Sequence, residues 1–375
     1  MKESKQIIET YNKYLERGRN AALATVVRVE GSAYRRPGAR MLIMEDGKWQ
    51  GSISGGCLEG DALKKARQLM KGNSPELLTY DTTEKGAHAL YLGLGCHGKI
   101  EILLEPLHPD DPQNPLLSLE GFFQREREGV LATVFNSNRL PLGTRYLYYE
   151  SDPLEPEWNA YADGFAKALA VGKSTNYLFE QEGDEYTDIF FEYLHPGLEL
   201  HIFGAGLDVV PISEFAKILG WKVIVYDNCV AHLAPARIPK ADALLNIDFC
   251  QAAQSLSASR FSAALVMSHN YKFDANALKF LLDKPVPYVG LMGPRARFER
   301  MEQEFPELGA YRESNRIFSP IGLDIGAENP EEIALAIISE IKAFFAGRSG
   351  QSLRERDRPI NDRQKTVSIK LSAQA

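Results

Sequence analysis

The stretch Leu198-Glu-Leu-His-Ile-Phe203-Gly204-Ala-Gly206-Leu-Asp-Val209 decides the fold. It opens as a buried-strand run, turns at two glycines and continues as a helical pattern to Gly220. A second strand pattern covers residues 222–226, and others fall at 243–247, 263–268 and 288–292, with helix-like stretches between them. Strands alternating with helices are the pattern of a parallel sheet wound on both faces. The last helix is signalled at both ends. Asn329 caps it, Pro330 takes its first position, Glu331 and Glu332 suit its positive end, and Gly347 stops it. The expectation is a C-terminal α/β domain over residues 197–347, a Rossmann-like parallel sheet with helices on both faces.

Upstream the rhythm differs, and the chain echoes itself. Ala22-Leu-Ala-Thr-Val26 returns as Val130-Leu-Ala-Thr-Val134, and Pro37-Gly-Ala-Arg40 is mirrored by Leu142-Gly-Thr-Arg145. Glu105-Pro-Leu-His-Pro109 matches Glu192-Tyr-Leu-His-Pro196. Residues 1–196 thus read as an α+β domain built from two similar halves, each a helix, a β-hairpin and a closing strand, and the halves could share one sheet. Residues 348–375 are polar and basic, which favours a solvated, flexible tail, with 367–371 as an alternative edge strand.

A chain of 375 residues that is 44% hydrophobic can fill two cores. Its net charge of -7 speaks against a nucleic-acid partner, because counterion release rewards a basic surface. The four cysteines, at 57, 96, 229 and 250, form no C-x-x-C, so neither a zinc ribbon nor a disulfide framework is expected. There is no apolar leader and no uninterrupted apolar span, which argues for the cytoplasm and against a membrane partner. A homodimer is the commonest symmetric assembly and the default expectation.

Three regions carry candidate chemistry. Gly204 and Gly206 let the backbone approach a phosphate at a helix start. Val209 replaces the third glycine of the dinucleotide fingerprint, and Asp227 closes the next strand where a carboxylate accepts a ribose hydroxyl, so NAD is a candidate ligand. His269, just past the strand at 263–268, projects at the carboxyl edge with Asp274 five residues on, so that the two could orient each other for proton transfer. Gly293 and Arg295, with Arg297, offer guanidinium recognition of phosphate or carboxylate.

In the first domain, Ser54, Gly55, Gly56, Cys57 and Glu59 precede a helix. Small residues there expose amides to an anion, and the helix start favours a Cys57 thiolate able to carry sulfur. Gly95-Cys96-His97-Gly98 supplies a second glycine-rich loop with a thiol and an imidazole. Neighbouring side chains in an extended strand point to opposite faces, so no bound metal is expected. Val171-Gly-Lys-Ser174 imitates the end of a Walker A loop, but Lys167 stands where its first glycine belongs.

Residues 31–38 (GSAYRRPG), 51–59 (GSISGGCLE), 202–206 (IFGAG), 288–295 (YVGLMGPR) and 319–326 (SPIGLDIG) resemble, in this order, the XdhC/CoxI family. The resemblance implies a protein that binds molybdenum cofactor (molybdopterin) and assists its sulfuration and insertion into a xanthine dehydrogenase-type hydroxylase. That hydroxylase and a cysteine desulfurase are the implied partners. It also implies that Ser54–Glu59 and Gly95–Gly98 line one pocket and that Gly204, Gly206, Asp227 and His269 line another, with Cys57, Cys96 and His269 as the chemically active side chains. His97 departs from a glycine common in the family, and Gly206-Leu-Asp-Val is closer to the CoxI branch, which leaves carbon monoxide dehydrogenase-like and aldehyde oxidase-like clients open. The two [2Fe–2S] clusters of a catalytic xanthine dehydrogenase would need about eight cysteine ligands, about four for each. With four cysteines the chain reads as an accessory factor rather than the enzyme. An NAD-dependent oxidoreductase and a non-catalytic Rossmann scaffold are the competing classes.

Overall fold

The computed structural model describes the chain except residues 17–18, 73, 82–97, 182, 249–255, 358–359, 361–365 and 372–375. It divides into two units, Met1–Pro196 with Pro359–Ala375 and Gly197–Arg358.

The first unit is a structural duplication. One half runs α1 (Lys2–Leu15), β1 (Ala21–Gly31), β2 (Arg40–Met44), β3 (Trp49–Gly51), α2 (Glu59–Gly72), β4 (Glu76–Asp81) and β5 (Gly98–Leu107). The other runs α3 (Pro115–Arg125), β6 (Gly129–Ser137), β7 (Arg145–Tyr148), α4 (Ala162–Val171), β8 (Thr175–Glu180) and β9 (Tyr186–Leu194). Both long strands slip register at the same place, between Val26 and Arg28 against β5 and between Val134 and Asn136 against β9. A bulge re-aims the extra residue. Here the extra residues, Val27 and Phe135, meet Leu103 and Phe190 in a small buried cluster drawn equally from both halves.

The halves do not share one sheet. Each builds its own, in the orders β3-β2-β1-β5-β4 and, with β16 (Val367–Lys370), β16-β8-β9-β6-β7. The closing strands β5 and β9 are each paired on both sides by strands of their own half, and the halves meet through side chains instead.

Two buried ion pairs make that junction reciprocal. Arg40 on β2 donates to Glu192 on β9, with Nη1 2.9 Å from Oε1, and Arg145 on β7 donates to Glu105 on β5. Arg40 also donates to the Gly38 carbonyl and Arg145 to the Gly143 carbonyl, both at 2.9 Å. Both glycines have positive φ, and a Cβ would fall 2.8 Å from Glu192 at Gly38 and 2.7 Å from Glu105 at Gly143. The echoed Gly-x-Arg and Glu are thus one device used twice, each arginine reaching into the opposite half.

Helices α1 and α3 contribute Ile7, Tyr11, Leu116 and Phe122 to a core that also takes Leu23 and Leu131 from the two sheets. Helix α2 covers the first sheet through Ala62, Ala66 and Leu69, and α4 covers the second through Phe165 and Ala168. The tail departs from the solvated expectation. Strand β16 pairs parallel with β8, Val367 opposite Tyr177, because alternation lets Ile369 and Leu371 rest on the second half's core.

In the second unit, β10 (Glu199–Phe203), β11 (Lys222–Asp227), β12 (Ala243–Asn246), β13 (Ser262–Val266), β14 (Tyr288–Leu291) and β15 (Ile317–Phe318) form a parallel sheet in the order β12-β11-β10-β13-β14-β15. This is the 3-2-1-4-5-6 order of dinucleotide-binding folds, whose strand direction of growth reverses between β10 and β13. Helices α5 (Val209–Ile218) and α8 (Pro330–Phe345) build one hydrophobic core with the sheet, and α6 (Tyr271–Leu282) and α7 (Arg295–Glu304) build another. The Asn329 side chain accepts the Glu332 amide at 2.9 Å, as its capping role predicts, and Gly347 has φ 59°. Among the described residues no helix is long and apolar enough to cross a membrane.

Candidate functional site

The loop between β3 and α2 closes on itself. Glu59, the first residue of α2, folds back so that its carboxylate accepts the amides of Ile53 at 3.2 Å, Ser54 at 2.8 Å and Leu58 at 3.2 Å, together with the Ser52 and Ser54 hydroxyls. Ser54 Oγ accepts the amides of Gly56, Cys57 and Leu58, each at 3.1 Å. Burial alone would raise the Glu59 pKa, but the hydrogen bonds from Ser54 and Ser52 outweigh it and hold the carboxyl below its ordinary value. The amides of Ser54, Gly56 and Cys57, expected to receive an anion, are therefore satisfied by the chain's own carboxylate and hydroxyl.

What the loop turns outward is different chemistry. Cys57 is an exposed free thiol. The Tyr34 ring, 73% exposed, lies beside Gly55, where a Cβ would sit 3.5 Å from it. Sequence reasoning does not single out Tyr34, although an aromatic between Gly31 and Gly38 is the available signal. Gly98 has a structural reason to be glycine, since a Cβ there would fall 2.6 Å from the Ser32 carbonyl oxygen. Gly95, Cys96 and His97 lie outside the described residues.

At the carboxyl edge of the parallel sheet, Gly204 and Gly206 stand at the strand-order reversal. Gly204 has φ 115°, and a Cβ on it would lie 2.6 Å from Ser268 Cα, so the loops after β10 and β13 touch backbone to backbone. Asp227, 5% exposed, accepts the Ala205 amide at 2.9 Å through Oδ2 and the Cys229 amide at 2.8 Å through Oδ1, and His232 Nδ1 lies 3.2 Å from Oδ1. The ribose acceptor expected at this position is thus engaged inside the protein. The amides of Gly206, Leu207 and Asp208 behave oppositely, having no acceptor among the described residues although they lead directly into α5. Three donors without acceptors at the start of a ten-residue helix are backbone chemistry of the kind that can receive an anion.

His269 adjoins this seat, but its partner differs from the expected Asp274. Its Nε2 lies 3.4 Å from Asp208 Oδ2, and its ring carbon Cδ2 would be 3.9 Å from a Cβ on Gly206. Asp274, 1% exposed, instead accepts Ser268 Oγ at 2.5 Å and Arg297 Nη2 at 2.7 Å. Gly293 makes room for that arginine, since a Cβ would lie 2.9 Å from Arg297 Cδ. Arg295 is exposed at the first position of α7. Asp208, Ser268 and Arg297 are therefore the residues that organise this edge; the sequence singled out Arg297 for carboxylate recognition, and the strand-end placement of His269 pointed toward the other two.

A dinucleotide-order sheet with an open helix-start seat, in a chain that also carries a duplicated α+β unit bearing an exposed loop thiol, defines the class. Residues 200–341 match the XdhC Rossmann domain, and residues 14–81 match the XdhC and CoxI family. The chain belongs to the XdhC and CoxI family. It is 30% identical over 328 residues to a probable xanthine dehydrogenase subunit of Bacillus subtilis, covering 87% of this chain and 94% of the relative. Its identity to the molybdenum cofactor insertion chaperone PaoD of Escherichia coli is 24%, over 86% of this chain and 83% of that one. A crystal structure of a xanthine dehydrogenase from Bacillus halodurans superposes with a TM-score of 0.71 at 27% identity, spanning 92% of this chain and 98% of the other.

Proposed function

We propose that this chain is an accessory factor that holds molybdenum cofactor and passes it to a molybdenum hydroxylase of the xanthine dehydrogenase type. The observation that carries the proposal is the set of unused amides at Gly206, Leu207 and Asp208, which fit the phosphate end of a pterin cofactor. The amides of Ser54, Gly56, Cys57 and Leu58 do not fit that role while Glu59 and the Ser54 hydroxyl fill them, so the first unit's part falls to Cys57, whose thiol is suited to carrying sulfur supplied by a cysteine desulfurase. When bound, the cofactor supplies the molybdenum chemistry, and the residues of this chain hold and shield it. The name of the Escherichia coli relative supports the same role, and a content of four cysteines supports an accessory rather than a catalytic chain. Work in the cytoplasm as a homodimer completes the proposal. NAD as the ligand would require Asp227 as ribose acceptor, and that buried carboxylate is already committed to Ala205 and Cys229.

Mass spectrometry of the protein purified from a host that makes molybdenum cofactor tests this. Pterin is expected to copurify, and Leu207→Pro, which deletes one open N–H, is expected to reduce its retention about ten-fold, the value of one hydrogen bond to a charged group. Copurified nicotinamide dinucleotide, or pterin retained equally by the variant, would overturn the assignment.

A further inference from the structure

The two crossed ion pairs of the duplicated unit differ in one respect. Arg40 meets Glu192 fork to fork, Nη1 on Oε1 and Nη2 on Oε2, so both carboxylate oxygens are used. Arg145 gives Glu105 one bond, from Nη2 to Oε1, and turns its Nε to the Gly143 carbonyl. Glu105 Oε2 therefore has no donor among the described residues, although Glu105 is only 5% exposed. That oxygen is not sealed off, since none of the fully enclosed unpartnered atoms belongs to Glu105.

Glu105 lies on the wall of a cavity of about 290 Å³, bounded by the end of β5, the turn leading into α3 and the loop between β6 and β7. Asp111 lines the same cavity. Its Oδ1 accepts the Gln113 amide at 2.8 Å, and its Oδ2 has no donor among the described residues. The His108 ring also lines it without a partner among those residues, whereas its echo in the other half, His195, has Nδ1 2.7 Å from the Pro196 carbonyl oxygen. Burial pushes the Glu105 carboxyl up in spite of Arg145, and the charge of Asp111 adds to the push. A buried anion still short of positive charge beside its own arginine gains from a further cation.

The surroundings set the kind of cation. Among the described residues no group of three His, Cys, Asp or Glu side chains is placed to hold a metal ion, which leaves N–H donors. Two carboxylate oxygens favour a head with several donors, and in the sister pair the second oxygen takes its bond from the second Nη of an arginine. Pro75, Pro106, Pro115 and Pro141 give the cavity apolar walls, which suit a weakly hydrated guanidinium plane and its methylene stem better than a compact ammonium.

We propose that this cavity is a binding site for a guanidinium group carried on an aliphatic stem, held between Glu105 Oε2 and Asp111 Oδ2. A free arginine-like compound and an arginine side chain of a polypeptide share that chemistry.

Calorimetric titration of the full chain with N-acetylarginine amide, free arginine and N-acetylcitrulline amide tests the site. N-acetylarginine amide is expected to bind at least about ten-fold more tightly than its uncharged citrulline isostere, the value of one hydrogen bond to a charged group. Asp111→Asn keeps an oxygen for the Gln113 amide and removes the charge, and it is expected to weaken the arginine compound at least about five-fold while leaving the citrulline compound unchanged. Glu105→Gln is expected to weaken it further; because that substitution touches a buried pair, Asp111→Asn decides the matter where circular dichroism shows Glu105→Gln unfolded. Tighter binding of free arginine would point to a small molecule and tighter binding of the amide to a polypeptide, and either order supports the site. Equal binding of the arginine and citrulline compounds, no binding of any of the three at millimolar concentration, or an unchanged affinity in Asp111→Asn would overturn it.

Discussion

Between β3 and α2 the first half of the N-terminal unit places the polar loop Ser52–Glu59, whereas between β7 and α4 the second half runs through Pro156 and Trp158 into α4. The two segments hold equivalent places in a duplicated fold and are stabilised by different physics. In the first, a carboxylate gathers backbone amides and hydroxyls, and the exterior is left to a thiol. In the second, Trp158 is buried against Tyr146, Tyr161 and Phe165, with ring centroids 5.6, 5.8 and 5.9 Å away. Duplication preserved the strand bulges and the crossed Arg–Glu pairs and left one loop polar with an outward thiol while the other became core. The same division appears among the residues facing the junction, where Arg28 contacts Glu101 and Asp188 but its counterpart Asn136 contacts Asp188 alone of that pair.

The largest test of this equivalence is to remove one charge from each crossed pair. Arg40→Met and Arg145→Met each strand a buried carboxylate, and each is expected to cost about 3–5 kcal/mol in urea unfolding. Similar losses are expected because the partners are all at least nine-tenths buried; a large loss at one site and none at the other would break the symmetry. A smaller effect separates the loops. Glu59→Gln replaces one acceptor oxygen with an NH₂ facing backbone donors, a local cost of about 1–3 kcal/mol. It is expected to speed thiol labelling of Cys57 and leave Trp158 fluorescence unchanged. An unaltered labelling rate would mean that Glu59 does not hold the loop.

The smallest effect is set by pH. Glu59 is held below its ordinary value of 4.5, so its contribution is present above that value and fades as pH falls through the lower folded value. The protection of the Ser54 and Leu58 amides, taken against their intrinsic exchange rates at each pH, is expected to fall on acidification below about 4.5, the carboxylate range. In the same interval Trp158, held by ring packing, is expected to stay buried. Protection at the loop that does not change with pH would assign its closure to Ser54 alone.

Periodicity and turn chemistry made the parallel sheet legible: the strands expected at 222–226 and 288–292 form at Lys222–Asp227 and Tyr288–Leu291, and Asn329-Pro330 starts its helix. The duplication was legible because Gly-x-Arg and Glu recur with the strands that carry them. Partner choice was not. Arg40 and Glu192 are separated by 152 positions, and nothing local says that each arginine reaches the opposite half. Likewise Asp274 stands near His269 in sequence, but α6 turns it inward to Arg297, leaving the imidazole to Asp208. The return of Glu59 onto its own loop escaped for a related reason, since exposed amides before a helix look the same whether a ligand or a side chain completes them.

Strand β16 imposes an order of assembly. It is translated only after the whole parallel-sheet unit has been made, so during synthesis β8 waits with one side of its backbone ladder unmatched. An uncovered ladder of this kind invites pairing with other chains. The late-made strand thus acts as a seal for β8, whose outer ladder is open in the interval between the emergence of β8 and that of β16.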